Sequence, residues 1–172
     1  MTGNLNAALV LVNKLNEAYF LHRNLEIILS CFSADAHVIG VSTGEVSNGL
    51  EQIRTAVSKG LATVPFVSGR ETEVLMLRER RKDLVEVSVK YTLLSQRGEP
   101  VLAPFIVTAN CEEESHGWKI TLIHSSMPGD YVEAFFLETK LQNVIDAIPG
   151  GVAVYRVSDV FDMQYFSKGV PE

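Results

Sequence analysis

Two polar residues close to the end of a long apolar region have side chains that could do chemistry. These are His124 and Ser126, in the segment GWKITLIHSSMP. An imidazole beside a hydroxyl can act as the base of a nucleophilic site when an acidic group orients the ring. Residues two apart on a strand are about 6–7 Å apart, however, and such pairs are common by chance. The spacing therefore does not select a catalytic pair, and a histidine that belongs to the core is the alternative to a site residue.

A second possible chemistry is proton transfer, which needs a carboxylate base in an apolar pocket and a hydroxyl or neutral acid facing it. The acids available are Asp35, Glu73 and Glu86, and the hydroxyls are Tyr19 and Tyr91. Their spacing selects none of them, because Glu86 falls on the polar side of its segment and Asp35 is typical of a turn. The sequence predicts no catalytic residue, and a small lyase or isomerase stays as the alternative.

Metal-binding patterns are weak in this chain. Its histidines are scattered, with no HxH or HxxE spacing, at positions His22, His37, His116 and His124. The two cysteines lie far apart in the sequence and form no CxxC pair, which is typical of reduced thiols. We expect neither a metal nor a cofactor.

Composition limits the classes of protein that fit. The chain has 172 residues, of which 47% are hydrophobic and 21% are charged, as in globular domains. Its net charge of −6 gives no electrostatic support for binding nucleic acid. The N-terminus has no basic segment before its apolar run, and no stretch reaches the length of a membrane span. We expect a cytoplasmic protein that does not bind a membrane.

Hydrophobic periodicity places helices first and strands afterwards. Apolar residues at three- and four-residue steps predict helices at about 5–19, 24–32 and 50–62, with two short strands between the second and third. Four longer strands follow at about 66–79, 83–96, 101–114 and 117–127, separated by polar turns. On the last strand, strict alternation places five residues on one face: Trp118, Ile120, Leu122, His124 and Ser126. This order indicates an α+β fold.

The end of the chain has a different pattern. The sequence predicts a helix at 130–148, with apolar residues spaced 3, 4, 3, 4 as in a coiled-coil seam, although a helix packed on its own domain fits equally. The segment IPGGVAVYRVSDVFDMQYFSKGVPE then predicts a strand, a turn and a second strand.

Residues 4–128 resemble the SnoaL-like branch of the nuclear-transport-factor-two and ketosteroid-isomerase superfamily. The similarity rests on NLEIILSCFSADAHVIGVSTGEVSNGLEQIR and on the final GWKITLIHSSMP, where His124 and Ser126 match the family's His-x-Ser. The resemblance implies a cystatin-like cone, in which three N-terminal helices pack on a strongly curved antiparallel sheet around a pocket. Cones of this superfamily often pair through the outer sheet face, so we expect a homodimer. Seven residues are the pocket candidates, each with core filling as the alternative: His124, Ser126, Trp118, Tyr91, Phe105, Tyr19 and His37.

A second resemblance concerns NVIDAIPGGVAVYRVSDVFDMQYFSKG, which is similar to the opening of a PAS domain. The predicted domains are therefore a SnoaL-like cone at 1–128, a linker helix at 129–148 and the start of a PAS domain at 149–172. SnoaL-like domains occur upstream of PAS and diguanylate-cyclase modules in bacterial signalling proteins. We therefore expect a non-catalytic sensory and dimerisation domain that binds an unknown small molecule and signals to a downstream PAS or output module in cis. A module that only dimerises is the third interpretation.

Overall fold

The computed structural model of the protein describes residues 3–41, 45–64, 67–101, 104–127, 153–157 and 161–166. The chain divides into two compact units, Met1–Pro128 and Gly129–Glu172. Helices and one sheet make up the first unit, and a hairpin belongs to the second. The helix predicted at 129–148 lies outside the described residues.

Three helices precede most of the sheet, close to where periodicity predicts them. They are α1 (Gly3–Phe20), α2 (Leu25–Ser30) and α3 (Gly49–Thr63). Helix α2 is shorter than predicted, because Asn24 caps its first turn and the chain is already extended at Phe32. No helix among the described residues has both the length and the apolar character needed to span a membrane.

The sheet of the first unit has six strands, in the spatial order β2-β1-β6-β5-β4-β3. The strands are β1 (Phe32–Ile39), β2 (Val46–Asn48), β3 (Gly69–Arg81), β4 (Leu84–Leu94), β5 (Phe105–Glu114) and β6 (Gly117–Ser126). All neighbours are antiparallel except β1 and β6, which run parallel. The predicted antiparallel sheet is therefore wrong in this detail, and the sheet is mixed. The β1–β6 pairing joins segments far apart in the sequence, so no local pattern indicates its direction.

The core lies between α1 and one face of the sheet, which we call the inner face; the opposite face is the outer face. Strand β4 alternates as predicted, and its inner residues are all buried: Val85, Val87, Val89, Tyr91 and Leu93. Buried residues of β5 continue the same layer, since Val107 pairs with Val89 and Ala109 pairs with Val87 across the two strands. Burying each such side chain stabilises the fold by about 1.5–3 kcal/mol, so this layer fixes which residues can face the interior.

A β-bulge interrupts the alternation of β6. Asn110 pairs with Leu122 but the next residue, Cys111, pairs with Ile120, so Thr121 is an extra residue on β6. A bulge of this kind shifts the residues that follow it to the other face. Ile120 and Ile123 are accordingly both buried although they are three residues apart. The prediction that five alternate residues of this strand share one face is wrong for this reason.

The described part of the second unit is an antiparallel hairpin of β7 (Ala153–Val157) and β8 (Phe161–Phe166). It forms where the sequence predicts a strand, a turn and a strand. The assignment of this segment to a PAS domain stays a prediction.

Candidate functional site

Four polar residues meet on the inner face, between the second half of α1 and the sheet. We call Asn13, Glu17, Arg70 and Tyr91 the interior cluster. Asn13 and Glu17 lie one helical turn apart on α1, and Arg70 lies at the start of β3, where it pairs with the buried Leu93. Paired residues of neighbouring strands share a face, so this register directs Arg70 under α1.

Arg70 holds the interior cluster together. Its Nη2 donates to Glu17 Oε1 at 2.6 Å, and its Nη1 donates to the carbonyl of Asn13 at 3.2 Å. The guanidinium carbon lies 5.4 Å from the ring centroid of Tyr91, as in a cation–π contact. The Tyr91 hydroxyl in turn donates to Asn13 Oδ1 at 3.0 Å.

The cluster runs from solvent into the core. The side chain of Glu17 is 47% exposed, that of Arg70 only 11%, and Tyr91 is fully buried. Burial raises the pKa of the Tyr91 phenol well above its ordinary value, although the nearby Arg70 charge opposes this effect. Tyr91 therefore remains a neutral hydroxyl at physiological pH. The site offers a cationic donor, a neutral hydroxyl and an amide, which together can orient a polar group of a ligand.

An aromatic wall borders the interior cluster, formed by Tyr19, Phe20 and Phe105. Phe105 is buried, with its ring centroid 5.7 Å from that of Tyr91 and 5.4 Å from that of Phe20. The rings of Tyr19 and Phe20 meet edge to face at 4.8 Å. Apolar rings beside a few polar groups are the usual composition of a small-molecule site.

Tyr19 also connects α1 with α3. Its hydroxyl lies so close to Gly60 that a Cβ atom at this position would be 2.0 Å away. Burial raises the pKa of the Tyr19 phenol, with a smaller contribution in the same direction from Glu45. Arg23 supports this junction by donating to the carbonyls of Leu61 and Val64, at the C-terminal end of α3.

Several predicted site residues lie apart from the interior cluster. His124 is exposed on the outer face, paired with Ile39 and Thr108, and Ser126 pairs with the exposed Ile106. The bulge at Thr121 is the physical reason, because without it both would face inward.

The two other predicted residues also lie elsewhere. His37 is exposed, and its Nδ1 lies 2.6 Å from Asn48 Oδ1. Trp118 is half-buried and packs on the core at the opposite end of β6 from Ser126. Of the seven pocket candidates, Tyr91, Phe105 and Tyr19 belong to the interior cluster or its aromatic wall. Their contact with a ligand stays a prediction.

The candidate acids for proton transfer lie outside the interior. Glu73 pairs with Lys90 at 3.0 Å and Glu86 pairs with Arg80 at 2.6 Å, on the outer face. Asp35 accepts a hydrogen bond from Ser33 at 2.8 Å. The carboxylate that reaches the interior cluster is Glu17 instead, and Arg70 holds it.

Asp35 lines an open cleft of about 390 Å³ on the outside of the sheet. Its other lining residues are Ser33, His37, Glu112, Glu114 and Thr121. Within the described ranges, no three His, Cys, Asp or Glu side chains come together in a way that could hold a metal ion. The cleft is an acidic, solvated surface feature.

Sequence reasoning did not select Asn13, Glu17 and Phe20. The available signal was the polar pair Asn13 and Glu17, spaced one turn apart beside an otherwise apolar helical face. Arg70 could be placed only with the β3–β4 register, which the sequence does not specify.

A family model described as a SnoaL-like domain matches residues 10–130 of the chain. No curated protein sequence matches this chain.

Similar folds occur among solved structures. A ketosteroid isomerase-like protein from Erwinia carotovora atroseptica has 13% identity and a TM-score of 0.62, covering 74% of this chain and 98% of its own. An NTF2-like protein from Pseudomonas putida KT2440 has 13% identity and a TM-score of 0.61, covering 74% and 89%. A cystatin-like domain from Nostoc punctiforme has 19% identity and a TM-score of 0.61, covering 86% and 90%. At these identities the similarity establishes the cystatin-like, NTF2-like fold alone.

Proposed function

Since the chain belongs to the SnoaL-like domain family, we propose that its first unit is a non-catalytic, small-molecule-binding sensory domain. The ligand lies on the inner face, against the aromatic wall, with its polar group at the interior cluster. The observation that carries the proposal is the nearly buried guanidinium of Arg70, held between Glu17, Asn13 and Tyr91.

The energetics of Arg70 favour a role in binding over a role in stability. Removing a guanidinium from water is expensive, and apolar side chains that replace a whole buried polar group together with its partners often stabilise a fold as well or better, although removing the arginine alone leaves its partners without their hydrogen bonds. The Arg70 side chain is only 11% exposed, so it loses most of its hydration. A costly polar group beside an apolar wall is typical of a site that recognises a ligand.

The alternative, a small lyase or isomerase, needs a free base that faces the ligand. The carboxylate of the interior cluster is that of Glu17. It accepts a hydrogen bond of 2.6 Å from Arg70 and forms an ion pair with it, so it is not a free base. Asp35, Glu73 and Glu86 point elsewhere. These contacts favour binding without turnover.

The sensory role rests on the resemblance of the second unit to a PAS domain. In this proposal the chain works as a cytoplasmic homodimer of a bacterial signalling protein and acts on a PAS or output module in cis. A ligand that binds one arrangement of the dimer more tightly shifts the population toward that arrangement. The pair of β7 and β8 at 153–166 is compatible with the first strands of such a module.

A thermal-shift screen tests ligand binding. The probes are small aromatic carboxylates and the uncharged amides of the same acids. We expect at least one probe to raise the unfolding temperature of the wild type and of Arg54→Met, but not of Arg70→Met. Arg54 is a matched control because it also pairs with a glutamate, Glu26, at 2.8 Å, but on the exposed surface.

Two results would count against the proposal. One is a probe that stabilises Arg70→Met as much as wild type, which would place binding away from the interior cluster. The other is recovery of a chemically changed probe after incubation with wild-type protein, which would favour the lyase or isomerase.

A further inference from the structure

Strand β3 forms an exposed edge of the sheet. It comes last in the strand order and, at 13 residues, is the longest strand described. One of its edges pairs with β4, and no strand pairs with the other within the described residues. Near its middle, Val74 is 45% and Leu75 is 46% exposed. A long edge strand with apolar residues at its centre is a template for pairing with another chain.

The charges on the outer face of this strand are separated into two blocks of opposite sign, whereas Arg70 and Glu79 pair with inner residues of β4. Glu71 and Glu73 lie in the first half, and Arg78 and Arg80 lie in the second. Cross-strand partners place Glu71, Glu73 and Arg78 on the outer face, and Arg80, an extra residue at a second bulge between Glu79 and Arg81, reaches Glu86 on that face. The β4 partners of the first three alternate with its buried inner layer. A reversed copy of this strand therefore presents arginines where the first presents glutamates.

We propose that β3 pairs with β3 of a second copy of this chain, antiparallel, with the two-fold axis between Leu75 and Met76. This register sets Glu71 opposite the partner's Arg80 and Glu73 opposite the partner's Arg78. Because the pairing is symmetric, four such contacts form. Opposite charges directly across an antiparallel pair stabilise it, and like charges destabilise it.

The bulge in β3 makes this register possible. Val74 pairs with Val89 and Met76 pairs with Ser88, so Leu75 is an extra residue. In a regular strand, residues 73 and 78 differ in parity and would lie on opposite faces. The bulge at Leu75 shifts the second half by one, so that Glu73 and Arg78 share the outer face while Val74 and Leu77 share the inner face. In the proposed pair, residues of opposite charge therefore lie across from each other on the same face of the sheet.

The same charges disfavour a parallel alignment of two copies. A copy aligned in parallel would place glutamates beside glutamates and arginines beside arginines. Edge charges that prevent pairing usually repel any second strand, whereas these repel a parallel copy and attract a reversed one. The existing contacts of Glu73 with Lys90 and of Arg80 with Glu86 are on exposed side chains, which can accept a second partner. This proposal does not depend on the ligand proposed above.

Charge exchange tests the pairing. Variant A carries Glu71→Arg and Glu73→Arg, and variant B carries Arg78→Glu and Arg80→Glu. Sedimentation equilibrium over a dilution series measures the dimer constant of each, with thermal unfolding by circular dichroism as the check on folding. The dimer dissociation constant of each variant alone should be on the order of 100-fold higher than that of the wild type, because each of the four contacts changes this constant by roughly threefold. An equimolar mixture of A and B should form a heterodimer, because every contact is then again between opposite charges.

Two outcomes would overturn the proposal. One is a wild-type chain that stays monomeric throughout the dilution series. The other is a pair of folded variants that dimerise as well as wild type, which would favour pairing through the outer sheet face.

Cross-linking gives a second, independent readout. Leu75→Cys lies beside the proposed axis, so oxidation should join two copies covalently. Ile106→Cys is the matched control, because Ile106 is an exposed apolar residue of the outer face of β5. A cross-link through position 106 but not through position 75 would contradict edge pairing. The native thiols of Cys31 and Cys111 are buried and do not compete.

Discussion

The contact between Tyr19 and Gly60 predicts an unusual response to a helix-stabilising substitution. Gly60 lies inside α3, where glycine to alanine normally stabilises a helix by about 1 kcal/mol. Here the new Cβ would lie 2.0 Å from the Tyr19 hydroxyl oxygen and 3.3 Å from Cζ. Tyr19 packs against Phe20, so moving it costs about 1–3 kcal/mol, as for other overpacked sites. We therefore expect Gly60→Ala to destabilise the protein by roughly 1 kcal/mol.

Removing the Tyr19 hydroxyl should reverse the sign of the stability change that Gly60→Ala causes. In a Tyr19→Phe background the remaining contact at 3.3 Å needs a shift of only a few tenths of an ångström. Gly60→Ala should then stabilise by about 0.5–1 kcal/mol, giving a coupling energy near 2 kcal/mol in the double-mutant cycle. Urea unfolding followed by fluorescence of Trp118, the one tryptophan, measures all four proteins. Equal effects of Gly60→Ala in both backgrounds would refute the proposed packing of α3 on α1.

Four further substitutions and one pH series test other parts of the structure. Arg70→Met should lower the free energy of unfolding by about 1–3 kcal/mol, because it removes hydrogen bonds of a charged group, whereas Arg54→Met should leave it nearly unchanged, since this ion pair is exposed to solvent. Ile123→Ala should cost about 2–4 kcal/mol and His124→Ala less than about 0.5 kcal/mol, since the bulge turns only the first inward. Burial raises the pKa of the Cys111 thiol from 9.0 to about 12. The folded state therefore holds this proton more tightly than the unfolded state, and the stability from this group, complete below pH 9.0, falls as the pH rises toward 12. Urea unfolding measures the substitutions at neutral pH and the wild type from neutral pH upward.

Each of these predictions has a contradicting result. Equal losses for Arg70→Met and Arg54→Met would mean that Arg70 is solvated like a surface residue. A larger loss for His124→Ala than for Ile123→Ala would mean that β6 alternates without a bulge. Stability unchanged between neutral pH and pH 11, with Cys111→Ala as the control, would contradict the burial of this thiol.

Local patterns predict much of this fold. Apolar spacing locates the three helices, and alternation along Val85–Leu93 identifies the strand that lines the core. The spacing of apolar residues within a segment indicates whether that segment is a helix or a strand. The order of the elements and the α+β class therefore follow from the sequence alone.

The pairing of the strands determines the rest, and it is not a local property. The extra residue at Thr121 reverses the face of His124, and only the register with β5 reveals it. Arg70 similarly acquires an inward direction from Leu93, its partner on the neighbouring strand. The sequence therefore identified the aromatic residues Tyr91 and Phe105 as pocket candidates but could not place the arginine beside them.

Native mass spectrometry of the freshly purified chain tests the central claim, a small-molecule site at the interior cluster, most directly. We predict a complex of wild-type protein with added mass that disappears on denaturation, retained in Arg54→Met and lost in Arg70→Met. Wild-type protein without added mass, or the same added mass in both variants, would contradict a ligand held by Arg70 and Tyr91.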